Sequence, residues 1–375
     1  MSNPTRDSGR SLLPSLTGLR FLAAFVVFAY HTRNMAYFSG HGQAALGLVF
    51  GAGPTGVSLF FVLSGFVLAW SDDGSGTFRA FWLRRAARIV PTHLVVLALA
   101  LLLAATILPS IRTADPWAAV ADGLLVSSWN PVWWQAGNPV SWSLVCEAFF
   151  YAVFPLLIRA LRPFGTGRLL AVFALAVGGV LAVAAVNDHL PAVLGANSSP
   201  LARLPEFVVG IALARLLRTG AWRGPSLAVG VLAALAGYAG ASLAPTSAFT
   251  NAGWTVIGYA LLIAALARCD IEGRRTLLAS RPLVRLGDLS FAFYLVHVLV
   301  LQSIGSLWPG HQPTLAAVPA ALLTLAALGV AVTVALLLNR VVERPGRRLL
   351  LALAEGPRPA VRPDERPVRA HRIGT

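Results

Sequence analysis

Residues 12–32 read LLPSLTGLRFLAAFVVFAYHT. A helix rises about 1.5 Å per residue, so this run is about 31 Å long, the depth of a bilayer's hydrocarbon core. It follows Arg6 and Arg10, as a secretory signal would, but it is too long, is broken by polar residues, and lacks a small-x-small cleavage site. It is therefore read as a retained first membrane helix. Working outward, apolar stretches of similar length recur at 53–70, 89–108, 139–158, 169–187, 201–217, 226–243, 253–267, 286–306 and 315–338. The reading is an all-α polytopic membrane helix bundle with about ten transmembrane helices.

Composition agrees. The 375 residues are 57% hydrophobic and only 12% charged, with a mean hydropathy of +0.71. Soluble chains carry about 25% charged residues, so this chain lacks the charge to clothe a water-facing surface, which excludes a soluble enzyme. The basic residues are all arginine, 30 against 15 acidic residues, for a net charge of +15. In a soluble protein that excess would suggest nucleic-acid binding; in a membrane protein it follows the rule that cytoplasmic segments collect basic residues. With the N-terminus inside, 26 of the 30 arginines fall on the cytoplasmic side, which places both termini in the cytoplasm and fixes an even number of spans. No nucleic-acid partner is expected. The chain divides into a cytoplasmic N-terminal segment (1–11), a membrane domain (12–350) and a basic Pro/Arg-rich cytoplasmic tail (351–375) whose composition predicts disorder. The longest outer loop, about 109–138, carries Trp129, Trp133 and Trp134, as suits the headgroup level. Cys146 and Cys269 are the only cysteines, and they supply neither a disulfide framework nor a metal spacing.

Ionisable groups inside a span cost at least about 2.5–3.5 kcal/mol and mark function by default. The sequence holds few: Arg20 and His31 in span one, Glu147 in span four, Glu206 in span six, Asp288 and His297 in span nine. Arg20 and His31 are eleven residues apart, which returns a helix to within about 20° of the same face and separates them by about 16 Å along the axis. Glu147 shares a stripe with Trp142, Ser143 and Tyr151. Its partner is expected among His31, Arg20 and Arg203. Paired with the imidazole it would hold a general base; paired with an arginine it would be structural. Arg84, Arg85 and Arg88 open span three. Arg85 and Arg88, three apart, can project together and clamp phosphate, or they can be ordinary cytoplasmic decoration. Phosphate-binding glycine loops, an H-E-x-x-H zinc site and a G-x-S-x-G elbow are all absent.

In order along the chain, LTGLRFLAAFVVFAYH (16–31), GPTGVSLFFVLSGFVL (53–68), FRAFWLRRAARIVP (78–91), SWSLVCEAFFYAVFP (141–155), LPEFVVGIALA (204–214), LGDLSFAFYLVH (286–297) and VVERPGRRL (341–349) resemble the acyltransferase-3 family of multipass membrane O-acyltransferases. The resemblance covers nearly the whole chain except its two tails. It implies a cell-membrane enzyme moving an acyl group, commonly acetyl, from cytoplasmic acyl-CoA to a hydroxyl, often on a sugar, with no metal. The acceptor would be a cell-envelope glycan or a glycosylated secondary metabolite such as a macrolide, and no extra extramembrane domain is expected.

Carried over by position, the resemblance assigns catalysis to His31, Glu147 and Arg20. It assigns donor binding to Arg85 and Arg88, with Arg84 beside them, and substrate binding to Trp142, Ser143, Glu206, Tyr294 and His297. In the mechanism it implies, His31 is the general base, Glu147 orients it, and Arg20 stabilises the oxyanion; a transient acyl-imidazole on His31 is the alternative. A multipass small-molecule transporter is the competing reading, since buried charges and about ten spans suit one as well.

Overall fold

The computed structural model describes residues 13–113, 115–192, 198–220, 222–244 and 248–355. The expected cytoplasmic segment 1–11 and the tail beyond 355 lie outside the described residues. Within them the chain is helical: α1 (Pro14–Asn34), α2 (Gly40–Phe50), α3 (Thr55–Ser71), α4 (Phe78–Thr106), α5 (Pro116–Gly123), α6 (Trp142–Leu161), α7 (Thr166–Val186), α8 (Pro200–Arg218), α9 (Leu227–Leu243), α10 (Ala248–Ile271), α11 (Arg281–Gly305), α12 (Ala317–Leu338) and α13 (Arg344–Glu355). Among the described residues the only β pairing is an isolated bridge between Phe38 and Leu315.

Eight helical segments are long and apolar enough to cross a membrane. Two stretches counted as spans in the sequence, 201–217 and 226–243, also form helices. However, α8 carries Arg203 and Glu206, and α9 is 17 residues long. Three helix boundaries differ from the expected ones. α4 starts eleven residues before the expected span, because Thr77 caps it by accepting a hydrogen bond from the Ala80 N–H at 3.2 Å, so Arg79, Arg84, Arg85 and Arg88 ride on one continuous helix. The stretch before the second expected span folds as α2. At the other end, α12 runs through a π-turn at Asn339–Glu343 into α13, so residues 351–355 are helical rather than tail.

The bundle is organised around α1, α3, α8 and α11: α1 packs along α11, α3 along α8, and α10 lies against α9, α7 and α3. Small residues allow the closest approach. A Cβ on Gly210 would stand 1.9 Å from the Val62 carbonyl oxygen, and one on Gly65 would stand 2.0 Å from that of Phe207, so the α3 and α8 backbones touch. Prolines interrupt three helices, Pro91 in α4, Pro155 in α6 and Pro205 in α8. Pro155 has no N–H for the carbonyl of Tyr151 one turn earlier. The freed oxygen accepts from the Trp82 indole N–H at 3.1 Å, which clips α4 to α6 beside the candidate site.

Candidate active site

Two cavities lie close together beside α4 and α6. The first is a cleft of about 600 Å³ at the arginine-rich end of the bundle. It lies between the end of α3 with its following loop, the start of α4 and the end of α6. Arg84, Arg85, Arg159 and Arg162 line it, and Arg162 is held by Asp72 at 2.9 Å. The Arg159 guanidinium stacks over Phe78 at 5.6 Å, and that of Arg85 lies over Phe81 and Tyr151 at 5.9 and 5.8 Å. Planar cations held on aromatic faces keep their N–H groups directed outward to an anion.

The second cavity is a narrow slot of about 80 Å³ inside the bundle. Its polar lining comes from four directions: Arg20 on α1, Ser64 on α3, Arg88 on α4, and Ser143, Glu147 and Tyr151 on α6, with Ser290 and Tyr294 of α11 closing it; Phe60 and Phe61 supply an apolar wall. Glu147 Oε1 accepts the Tyr151 hydroxyl and, at 3.4 Å, the Ser64 hydroxyl. Ser143 donates to the Tyr294 hydroxyl at 2.9 Å. Among the described residues no ion pair within 4.0 Å joins Glu147 to Arg20 or Arg88, although all three line the slot. Tyr151 stands at the junction of the cavities, its hydroxyl on Glu147 and its ring against Arg85.

The residues expected from the sequence divide among several places. Arg20, Arg88, Glu147, Ser143 and Tyr294 share the slot. Arg84 and Arg85 line the cleft, so Arg85 and Arg88, three residues apart on α4, line different cavities. The expected pairing of Glu147 with His31 is not formed. Glu147 is taken by Tyr151, whereas His31 lies farther along α1, with its ring 5.2 Å from that of His297. Arg20 and His31 do share the α1 face that meets α11, as the eleven-residue spacing requires. Glu206, expected to bind substrate, is buried in an ion pair with Arg203 at 3.1 Å, both side chains at most 2% exposed. Arg203 also donates to Ser58 at 3.1 Å and lies over the Phe61 ring at 5.2 Å, so this pair backs the slot wall. Trp142 packs its ring edge-on to Phe61 and Trp134 on the outer side.

Two features escaped the sequence reading. Tyr151 appeared there only as part of a stripe; its place four residues before Pro155, where it must lend its carbonyl elsewhere, was the available signal. The other is a polar knot under the outer loop. Asp122 at the end of α5 accepts from the Ser141 hydroxyl at 2.5 Å and the Ser127 hydroxyl at 3.4 Å, and its carbonyl accepts from His93 Nε2 at 2.8 Å. Asn138 donates to the Leu295 carbonyl at 2.9 Å. Burial pushes the Asp122 carboxyl above the usual carboxylate range, and the Ser141 and Ser127 hydroxyls pull it partly back. This knot sets the start of α6, and through it Ser143 and Glu147. Among the described residues no group of three or more His, Cys, Asp or Glu stands close enough to hold a metal ion.

Comparison with known proteins gives a consistent result. The family described as an acyltransferase domain, Acyl_transf_3, matches residues 13–340. Acyltransferase MdmB of Streptomyces mycarofaciens is 40% identical over 95% of this chain and 97% of its own length. Peptidoglycan O-acetyltransferase OatA of Listeria monocytogenes is 30% identical over 41% of this chain and 25% of its own. O-acetyltransferase OatA of Staphylococcus aureus is 26% identical over 80% of this chain; the match spans 52%, about half, of that relative. No solved structure gives a significant match.

Proposed function

The chain belongs to the Acyl_transf_3 family of acyltransferases, a multi-pass membrane O-acyltransferase, and from that premise we propose that it moves an acetyl group from acetyl-CoA in the cytoplasm to a hydroxyl met within or beyond the bilayer. The observation that carries this reading is a pair of neighbouring cavities: a cleft lined by arginines and a slot holding Arg20 and Arg88, with Tyr151 of the slot lying against Arg85 of the cleft. The cleft suits the phosphates of CoA, because its guanidiniums form charge-assisted, two-pronged bonds to phosphate oxygens. The slot is wide enough only for a thin arm, and its volume suits a short acyl group.

In this reading Arg20 and Arg88 stabilise the negative charge that develops on the thioester oxygen. His31 takes the proton of the acceptor hydroxyl; the oxygen bonds to the acyl carbon, the carbon–sulfur bond breaks, and the proton passes to the departing thiolate. Glu147, bonded to Tyr151 and Ser64, offsets part of the arginine charge and fixes the junction the arm must pass. Similarity to relatives named O-acetyltransferases supports acetyl as the group; the acceptor in this reading is a sugar hydroxyl on a cell-envelope glycan or a glycosylated secondary metabolite such as a macrolide.

Membranes containing the protein, given acetyl-labelled acetyl-CoA, should transfer label to an extractable hydroxyl-bearing product that mass spectrometry identifies by comparison with cells lacking the protein. His31→Ala, at matched protein level, should abolish transfer; wild-type transfer by that variant would remove His31 from the chemistry.

A further inference from the structure

Past Tyr294, two histidines from different helices meet. His297 on α11 is fully buried, and its Nδ1 stands 2.6 Å from the Tyr294 carbonyl oxygen. A carbonyl oxygen only accepts, so Nδ1 carries the hydrogen and Nε2 is left with its lone pair. Among the described residues that Nε2 has no hydrogen-bond partner, an arrangement a buried acceptor sustains only at a cost unless something donates to it. The neighbouring ring with an N–H to offer is that of His31 on α1, 5.2 Å away between centroids and inclined at 51°. Imidazole nitrogens lie about 1.1 Å from the ring centre, so two nitrogens turned along that line come within about 3 Å, hydrogen-bond reach. Of the other rings around His297, Phe293 at 6.0 Å and Phe28 at 6.4 Å have no polar hydrogen to give, and that of Tyr294, 5.5 Å away, has its hydroxyl on Ser143.

We propose that His297 is the positioning residue for His31, accepting its N–H on Nε2 and so fixing the tautomer whose other nitrogen bears the lone pair. The inference rests on the reading of His31 as general base and gives His297 the orienting role the sequence assigned to Glu147. The Tyr294 carbonyl fixes His297, His297 fixes His31, and the free nitrogen of His31 removes the hydroxyl proton. The positive charge that His31 then gains is held by the same N–H bond to a neutral imidazole.

Three variants measured for kcat and for both KM values test this, each with its folded yield checked by gel filtration and thermal melting. His297→Phe keeps a flat ring against Phe293 but removes the acceptor. It is expected to lower kcat by about tenfold or more with donor KM within about twofold. His297→Gln, which offers an amide oxygen in place of Nε2, is expected to recover part of that loss, whereas His297→Ala is expected to recover none. Wild-type kcat in His297→Phe overturns the proposal, as does an equal loss in the Phe and Gln variants, or a raised acceptor KM with kcat unchanged. His31→Ala runs alongside to separate the two ideas. Full activity in His31→Ala refutes the base reading itself, while an inactive His31→Ala beside a fully active His297→Phe refutes only the role of His297.

Discussion

Glu206→Gln separates a substrate residue from a structural one. Glu206 and Arg203 lie one helical turn apart on α8, 3.1 Å from each other and at most 2% exposed, with Arg203 further tied to Ser58 and stacked on Phe61. Removing the carboxylate charge leaves the guanidinium buried without its counterion, and breaking a buried pair from one side costs about 3–5 kcal/mol. On a chain of this size that corresponds to a fall in melting temperature of roughly 4–6 °C. The slot lies on the far side of Phe61, so the folded fraction should turn over with ordinary KM values for donor and acceptor. The assay is a thermal melt in detergent, followed by steady-state kinetics below the new transition. A second variant, Arg203→Met with Glu206→Leu, removes both charges and should regain much of the lost stability, since apolar replacement of a whole buried pair is often neutral. A Glu206→Gln protein that melts like wild type but has a raised acceptor KM would refute this assignment and return Glu206 to substrate binding.

Other outcomes follow from the same geometry. Tyr151→Phe removes the hydroxyl that Glu147 accepts; a hydrogen bond to a charged group contributes about 1.5–3 kcal/mol, so kcat/KM should fall by about ten- to a hundredfold, and an unchanged value in labelled-donor assays would take Tyr151 out of the junction. Arg85→Ala should mainly raise the acetyl-CoA KM, because its guanidinium lines the cleft, while Arg88→Ala should mainly lower kcat, because its guanidinium lines the slot; identical profiles for the two would contradict their separation. Asp122 has a raised carboxyl pKa, so the folded state favours its protonated form. Its contribution to stability is greatest below about pH 3.9, the ordinary aspartate value, and is lost as pH rises toward the raised one. Asp122→Asn mimics the protonated form, so its melting temperature relative to wild type should increase with pH across that window; a constant difference would show that the carboxyl does not titrate there.

Much of the scaffold is written locally. Apolar run length, the sidedness of arginine and the eleven-residue spacing of Arg20 and His31 each follow from helix geometry and the cost of charge in hydrocarbon, so they need no knowledge of neighbouring helices. The same cost marked Arg20, His31, Glu147, Glu206 and His297 as worth explaining. Which of them meet is a different matter. Sequence offered Glu147 three partners, and the fold chose a fourth, Tyr151 on its own helix, because the next turns of α6 hold that hydroxyl and Ser64 of α3 against it. The motif placed Arg85 and Arg88 together, but they line different cavities. Glu206 looked functional because it is an acid in a span; its charge is matched within α8 by Arg203, one turn earlier, and the packing of α8 on α3 buries that pair against Ser58 and Phe61. His31 gained His297 because α1 and α11 lie side by side, although 266 residues separate the two in the chain. A sequence states which side chains a membrane cannot tolerate unpaired, since that cost belongs to each residue. The identity of the partner depends on how helices rotate and cross, which is settled only when the whole bundle packs.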